Sequence, residues 1–81
     1  MTQDLLTLND LKPGQSATIL EILSDEPLAE RFWTLGLTPQ AQVTLAHQAP
    51  FGKDPIAIQV RGSLLALRRE QASQIRVRIL S

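Results

Sequence analysis

The segment that decides the fold runs from residue 35 to residue 69 and reads LGLTPQAQVTLAHQAPFGKDPIAIQVRGSLLALRR. Three turn-forming sequences divide it at nearly even spacing: Leu-Gly-Leu-Thr-Pro at 35–39, Pro-Phe-Gly-Lys-Asp-Pro at 50–55 and Arg-Gly at 61–62. Glycine tolerates positive φ angles and proline cannot continue a central strand, so both end the apolar runs beside them. Short apolar runs separated by such turns predict a small β-barrel.

Five strands are predicted, over residues 16–23, 42–49, 55–61, 63–67 and 75–79. Single helical turns are predicted over residues 8–11 and 69–73. Side chains alternate between the two faces of a strand, so apolar residues at every second position should share a core. In the second strand this period places Val43, Leu45 and His47 on one face. Gly62 predicts a tight hairpin turn between the third and fourth strands. The fold class is therefore all-β (mainly β).

One α-helix is predicted over residues 27–35, inserted between the first two strands. Leu28, Phe32 and Leu35 fall on one stripe at helical spacing, and Gly36 supplies the left-handed residue that commonly ends a helix. A helix of this length is marginal in isolation. Its apolar stripe should therefore dock on the sheet.

Length and composition fit one globular domain, residues 1–81. Hydrophobic residues make up 43% of the chain and charged residues 20%, and the formal net charge is zero. The charge is unevenly divided: residues 1–50 hold two basic and six acidic side chains, and residues 51–81 hold six basic and two acidic ones. The chain has no cysteine, which fits a reducing compartment, and it shows neither a signal peptide nor a membrane-spanning run. We expect a cytoplasmic protein.

No catalytic, cofactor or metal site is predicted. His47 is the only histidine, and an imidazole at a strand end is more simply a residue of the barrel rim than a metal ligand. The carboxylates show no ligand spacing, and no serine has a partner set that would make it a nucleophile. The four glycines are isolated and form no phosphate-binding loop. These features exclude the common enzyme classes and favour an interaction module.

The sequence resembles the FeoA family, small proteins that accompany the bacterial ferrous iron transporter FeoB. Four segments between residues 8 and 79 carry the resemblance in order: Leu-Lys-Pro-Gly at 11–14, the 35–39 turn, the 50–56 loop, and Arg-Gly at 61–62 followed by Leu-Ala-Leu-Arg-Arg at 65–69. The resemblance implies an SH3-like small barrel of about five strands with an inserted short α-helix. It also implies a cytoplasmic accessory role with contact to the cytosolic GTPase region of FeoB. One position departs: the family commonly has glycine after the 35–39 turn, and Gln40 here implies a different turn or no need for a positive φ.

Nine residues are candidates for binding a partner: Arg31, Trp33, Phe51, Lys53, Arg61, Arg68, Arg69, Arg76 and Arg78. Trp33 lies beside the helical stripe, where it either flanks the core or anchors a partner. Phe51 stands at a loop tip, where it either plugs the barrel mouth or binds. The arginines form either a solvated outer face or a surface for an acidic partner. A sequence pI of about 6.5 and only three aromatic residues count against nucleic acid.

The leading hypothesis is a non-catalytic accessory protein of ferrous iron transport that reaches the membrane only indirectly, through the transporter. The alternative is a stand-alone SH3-like module that binds nucleic acid or another protein through its arginine-rich face. A third hypothesis is a homo-oligomer, because exposed strand edges invite strand addition.

Overall fold

The computed structural model describes residues 6–49 and 53–80. A 3₁₀ turn (Leu8–Asp10) precedes β1 (Ser16–Ile22), α1 (Glu26–Thr34) and β2 (Gln42–Gln48). The chain continues through β3 (Ile56–Val60), β4 (Ser63–Leu67), α2 (Arg69–Ala72) and β5 (Ile75–Ile79). All five predicted strands, the inserted helix and both single helical turns are present, with ends that differ from the predictions by at most one residue.

The five strands form one antiparallel sheet in the order β4-β3-β2-β1-β5. A single hydrophobic cluster contains buried residues from every strand, from both α-helices and from the 3₁₀ turn. Because one face of all five strands meets the same core, the sheet curls around it. This architecture confirms the predicted SH3-like small barrel with an inserted helix.

His47 lies on the outer face of β2, not on the core face with Val43 and Leu45 as the two-residue period predicted. The register of β2 against β3 shifts between Leu45 and His47, which marks a β-bulge at Ala46. A bulge inserts one extra residue and so reverses the face of the residues that follow it. His47 is consequently exposed, whereas Val43 and Leu45 are buried.

Helix α1 is held to the core chiefly by one residue. Phe32 is its only buried side chain, with 2% of its surface exposed, and Leu28 is partly buried against the core. Leu35 was predicted on the same stripe, but it is 41% exposed because the helix ends one residue earlier. The N–H of Leu37 donates to the Phe32 carbonyl (2.9 Å) and Gly36, at φ 96°, donates to Trp33 (3.0 Å). This Schellman arrangement turns the chain so that Leu37, which is fully buried, enters the core instead.

Gln40 adopts a left-handed conformation, with φ of 80°. The inference that a non-glycine residue here removes the need for positive φ is therefore wrong. The backbone is fixed on both sides of the turn, since the N–H of Gln40 donates to the Ile19 carbonyl (2.8 Å) and that of Ala41 to Thr38 (3.0 Å). These hydrogen bonds hold the backbone of Gln40 in a conformation that is strained for a residue other than glycine.

Replacing Gln40 with glycine should stabilise the protein by about 0.5–1 kcal/mol. Positive φ costs an L-residue about 1–2 kcal/mol, and glycine would remove this cost. Glycine also has more conformational freedom in the unfolded chain, which lowers the stability gained by about 0.5–1 kcal/mol. Urea denaturation followed by circular dichroism measures the difference. The control is Gln42→Gly, at an exposed position of β2, which should lower stability; equal losses in both variants would contradict the strain at position 40.

Candidate partner-binding surfaces

The first surface, called the α1 patch, is the exposed part of α1 around Trp33. Trp33 follows the buried Phe32, and each helical residue advances about 100° around the axis, so its ring points away from the core. It is 55% exposed. Arg31 is also exposed, but it lies two residues away and therefore on the other side of the helix. The structure thus places Trp33 at the surface, which was one of the two positions left open by the sequence.

The side chain of Arg69 is partly buried and forms hydrogen bonds with other residues of the same chain. Its Nε donates to the Lys53 carbonyl (2.7 Å), one terminal nitrogen donates to Asn9 Oδ1 (3.2 Å), and the other donates to Gln48 Oε1. The Asn9 side chain in turn donates to the Arg69 carbonyl (2.9 Å). One guanidinium therefore joins the 3₁₀ turn, the end of β2 and Lys53, a role that no local sequence signal indicated.

Arg76 and Arg78 extend from the outer face of β5. Arg76 forms an ion pair with Glu21, its register partner on β1, and both side chains are only partly exposed. Arg78 faces Thr18 across the same pair of strands and is exposed. The two arginines do share a face, but a carboxylate of the chain itself already neutralises one of them.

Arg61 and Arg68 stand at the two ends of β4. Both are exposed, and neither guanidinium makes a hydrogen bond or ion pair with any residue in the described ranges. Arg61 occupies the two-residue turn with Gly62, at φ of 52° and 83°, which is the type I′ geometry of a tight hairpin. A side chain at Gly36 would contact Arg61 Cδ at 3.7 Å, so this turn lies against the end of α1.

A shallow apolar cavity of about 210 Å³ lies on the outer face of the sheet near the 50–55 loop. Its lining comes from the ends of three neighbouring strands and includes His47, Ala49, Pro55, Ala57 and Ala66. The bulge in β2 creates part of this wall, because it brings His47 outward opposite Ala57. No local sequence pattern indicated this cavity, because the two-residue period placed His47 on the same face as Val43 and Leu45.

The 50–55 loop is only partly within the described residues. Lys53 is exposed, and its backbone, at φ of 56°, presents its carbonyl to Arg69. Phe51, the loop residue predicted to bind a partner or plug the barrel, lies outside the described residues. Its role stays a prediction.

Within residues 6–49 and 53–80, no three side chains of the types His, Cys, Asp and Glu come together as ligands for a metal ion. In the same residues, no helix has the length and apolar character needed to cross a membrane.

Comparison with known proteins identifies the family. Among curated proteins, none matches the sequence significantly. The structure is similar to the FeoA protein of Chlorobium tepidum, with 33% identity, a TM-score of 0.87 and coverage of 94% of this chain and 71% of that one. It is also similar to a FeoA-like protein of Clostridium acetobutylicum, with 27% identity, a TM-score of 0.85 and coverage of 100% and 92%.

A third similar structure is FeoA of Stenotrophomonas maltophilia complexed with zinc, with 27% identity, a TM-score of 0.78 and coverage of 89% and 88%. That protein is described as a procaryotic SH3 domain protein possibly acting as a bacterial ferrous iron transport activating factor. The family model of the FeoA domain matches residues 6–79, nearly the whole sequence. The chain therefore belongs to the FeoA family, whose members are associated with ferrous iron transport.

Proposed function

We propose that this chain is a non-catalytic accessory protein of ferrous iron transport, which docks on the cytosolic GTPase region of a FeoB-type transporter. Family membership supports the transport role. The description of the Stenotrophomonas relative as a possible activating factor supports an accessory role and not a catalytic one. A cytoplasmic location follows from a partner region that faces the cytosol.

The α1 patch is the surface proposed to dock. The observation that carries this choice is the exposure of Trp33, 55%, on a helix that Phe32 fixes to the core. Tryptophan and arginine are enriched among the residues that dominate binding energy, and a rigidly held side chain loses little entropy when it binds. Trp33 thus provides an exposed aromatic anchor on a helix that is fixed to the core.

Docking would act by favouring one conformation of the transporter's GTPase region. A bound protein shifts such an equilibrium only to the extent that it binds the two states with different affinity. The proposal therefore requires that the affinity differ between the GDP-bound and GTP-analogue-bound forms. Titration of each form against the single tryptophan of this chain measures both affinities directly.

Replacing Trp33 with alanine should weaken this binding by at least about tenfold, the loss expected when a central aromatic anchor is truncated. Biolayer interferometry with the immobilised GTPase region gives the affinity without a fluorescence signal. Leu80→Ala is the control, because Leu80 is an exposed apolar residue outside the patch and should bind unchanged. Absence of binding in both nucleotide states would contradict the proposed function; unchanged binding by Trp33→Ala alone would contradict only the choice of surface.

The arginine-rich face offers less support for nucleic-acid binding than its residue count suggested. Arg69 is used within the chain and Arg76 is paired with Glu21. The remaining arginines come from four different parts of the fold, namely α1, the β3–β4 turn, the residue before α2, and β5. Nucleic-acid-binding domains usually carry a basic patch or stripe on one face. Arginines drawn from four parts of the fold do not indicate such a patch.

A further inference from the structure

Strand β4 is an edge strand whose outer side has no partner among the described residues. It pairs only with β3, in the register Val60↔Ser63, Ile58↔Leu65 and Ile56↔Leu67. A two-residue hairpin turn is closed by a hydrogen-bonded pair, and such pairs alternate along an antiparallel ladder. The N–H and C=O groups of Leu64 and Ala66 therefore point away from β3, and no described residue bonds to them.

The two edges of the sheet are treated differently. At the other edge, the N–H of Val77 donates to the Leu6 carbonyl (2.9 Å), a bridge joins Thr7 to Arg76, and β5 itself carries two arginines. Coverage and charge are the usual devices that prevent strand addition. Strand β4 has none of them: it contains no charged residue, no proline and no register shift. Leu64 is 57% exposed on its outer face.

The apolar cavity lies beside this edge. Ala66 of β4 and Ala57, its register partner on β3, both line it. Side chains of an added strand alternate, so every second one would lie on the outer face next to Leu64 and Ala66 and near this cavity. Strand addition gains affinity from main-chain hydrogen bonds and specificity from such side-chain pockets.

The charges at the ends of β4 indicate which kind of segment would bind along this edge. Arg61 and Arg68 flank the strand, one at each end, and both are unpaired within the described residues. An antiparallel second copy would place Arg61 of one chain near Arg68 of the other at both ends, and like charges opposite each other destabilise a strand pair. A segment with acidic residues at its ends would instead pair with them. Asp54 and Glu70 lie near the Arg68 end, so the attraction should be stronger at Arg61.

We propose that the β4 edge binds an extended apolar segment of another protein, flanked by acidic residues, as a sixth strand of the sheet. This binding mode uses the edge of β4, whereas the proposed docking on the transporter uses Trp33 of α1; Arg61 lies against the end of α1. The strand-addition proposal can therefore be tested independently of whether the transporter is the partner of α1.

A labelled peptide tests the proposal on the full-length protein. The probe alternates valine and threonine and carries aspartates at both ends; the matched control carries lysines instead. Fluorescence anisotropy should show at least tenfold tighter binding of the aspartate peptide. Hydrogen exchange resolved by NMR should show slowed exchange at the amides of Leu64 and Ala66. Equal affinity for the two peptides, or no protection at these amides, would overturn the proposal.

Two variants separate the edge from general effects on folding. Ala66→Pro removes an outward N–H without removing a bond to β3 and should weaken the aspartate peptide at least tenfold, with an unchanged circular dichroism spectrum. The double variant Arg61→Glu, Arg68→Glu should reverse the preference toward the lysine peptide. Unchanged preference in the double variant contradicts the charge argument, and a concentration-dependent dimer of the unmodified chain that excludes the peptide contradicts the choice of occupant.

Discussion

Replacing Phe32 with alanine should lower the free energy of unfolding by about 3–5 kcal/mol. The side chain is 98% removed from solvent, and it is the only buried residue of α1. Its loss removes a large apolar contact and leaves a cavity that the surrounding strands cannot fill without moving. A small domain is stable by only about 5–15 kcal/mol, so this single change takes a large share of the total.

Guanidinium denaturation followed by far-UV circular dichroism measures the effect. Trp33→Ala is the matched control, because it removes a larger aromatic ring from the next position of the same helix, where 55% of the side chain is exposed. That control should cost less than about 1 kcal/mol, as exposed positions usually do. If Phe32→Ala and Trp33→Ala cost the same, Phe32 does not anchor the helix as described.

The second large effect is expected at Arg69, where replacement by alanine should cost about 2–3 kcal/mol. Hydrogen bonds made by a charged group contribute about 1.5–3 kcal/mol each at most, and partial exposure of this side chain reduces the sum. The variant would release Asn9, Gln48 and the Lys53 carbonyl from one another. Thermal unfolding measures the loss, and local hydrogen exchange near residues 48 and 53 should rise with it.

Arg68 provides the control for this prediction. It has the same side chain, precedes Arg69 directly and makes no side-chain bond to a described residue, so Arg68→Ala should leave stability nearly unchanged. Arg69→Lys should recover only a small part of the loss, since an ammonium group cannot reach three acceptors in the fork geometry of a guanidinium. Full recovery by lysine would show that charge, not the network of hydrogen bonds, stabilises this corner.

Phe32 and Arg69 stabilise the fold, whereas the residues beside them in the sequence are exposed and available for binding. Phe32 is followed by the aromatic Trp33, and Arg69 is preceded by the basic Arg68, and neither neighbour makes comparable contacts among the described residues. Trp33 and Arg68 are consequently available at the surface without a cost to the core. Adjacent positions in the sequence thus serve different purposes.

Trp33 and Arg31 were named from the sequence, but the internal role of Arg69 could not be predicted because its hydrogen-bond partners are distant in the sequence. Asn9 and Arg69 are sixty positions apart and meet only when α2 packs beside the 3₁₀ turn. The exposure of Leu64, in contrast, follows from a local pattern: the period that buries Leu65 partly and Leu67 fully places Leu64 on the opposite face. The same alternation therefore predicts an exposed apolar side chain on the outer face of β4 as well as the buried ones on its inner face.

The sequence by itself determined the elements and their order, because the signals are local. Positive φ at Gly36 and Gly62 ends a helix and closes a hairpin wherever the chain folds. Only the tertiary structure decided three further points: the bulge that turns His47 outward, the positive φ imposed on Gln40, and the internal use of Arg69. Each of these depends on a neighbouring strand or turn that fixes the backbone from across the sheet. The free energy of those distant contacts exceeds the local preference of the residue.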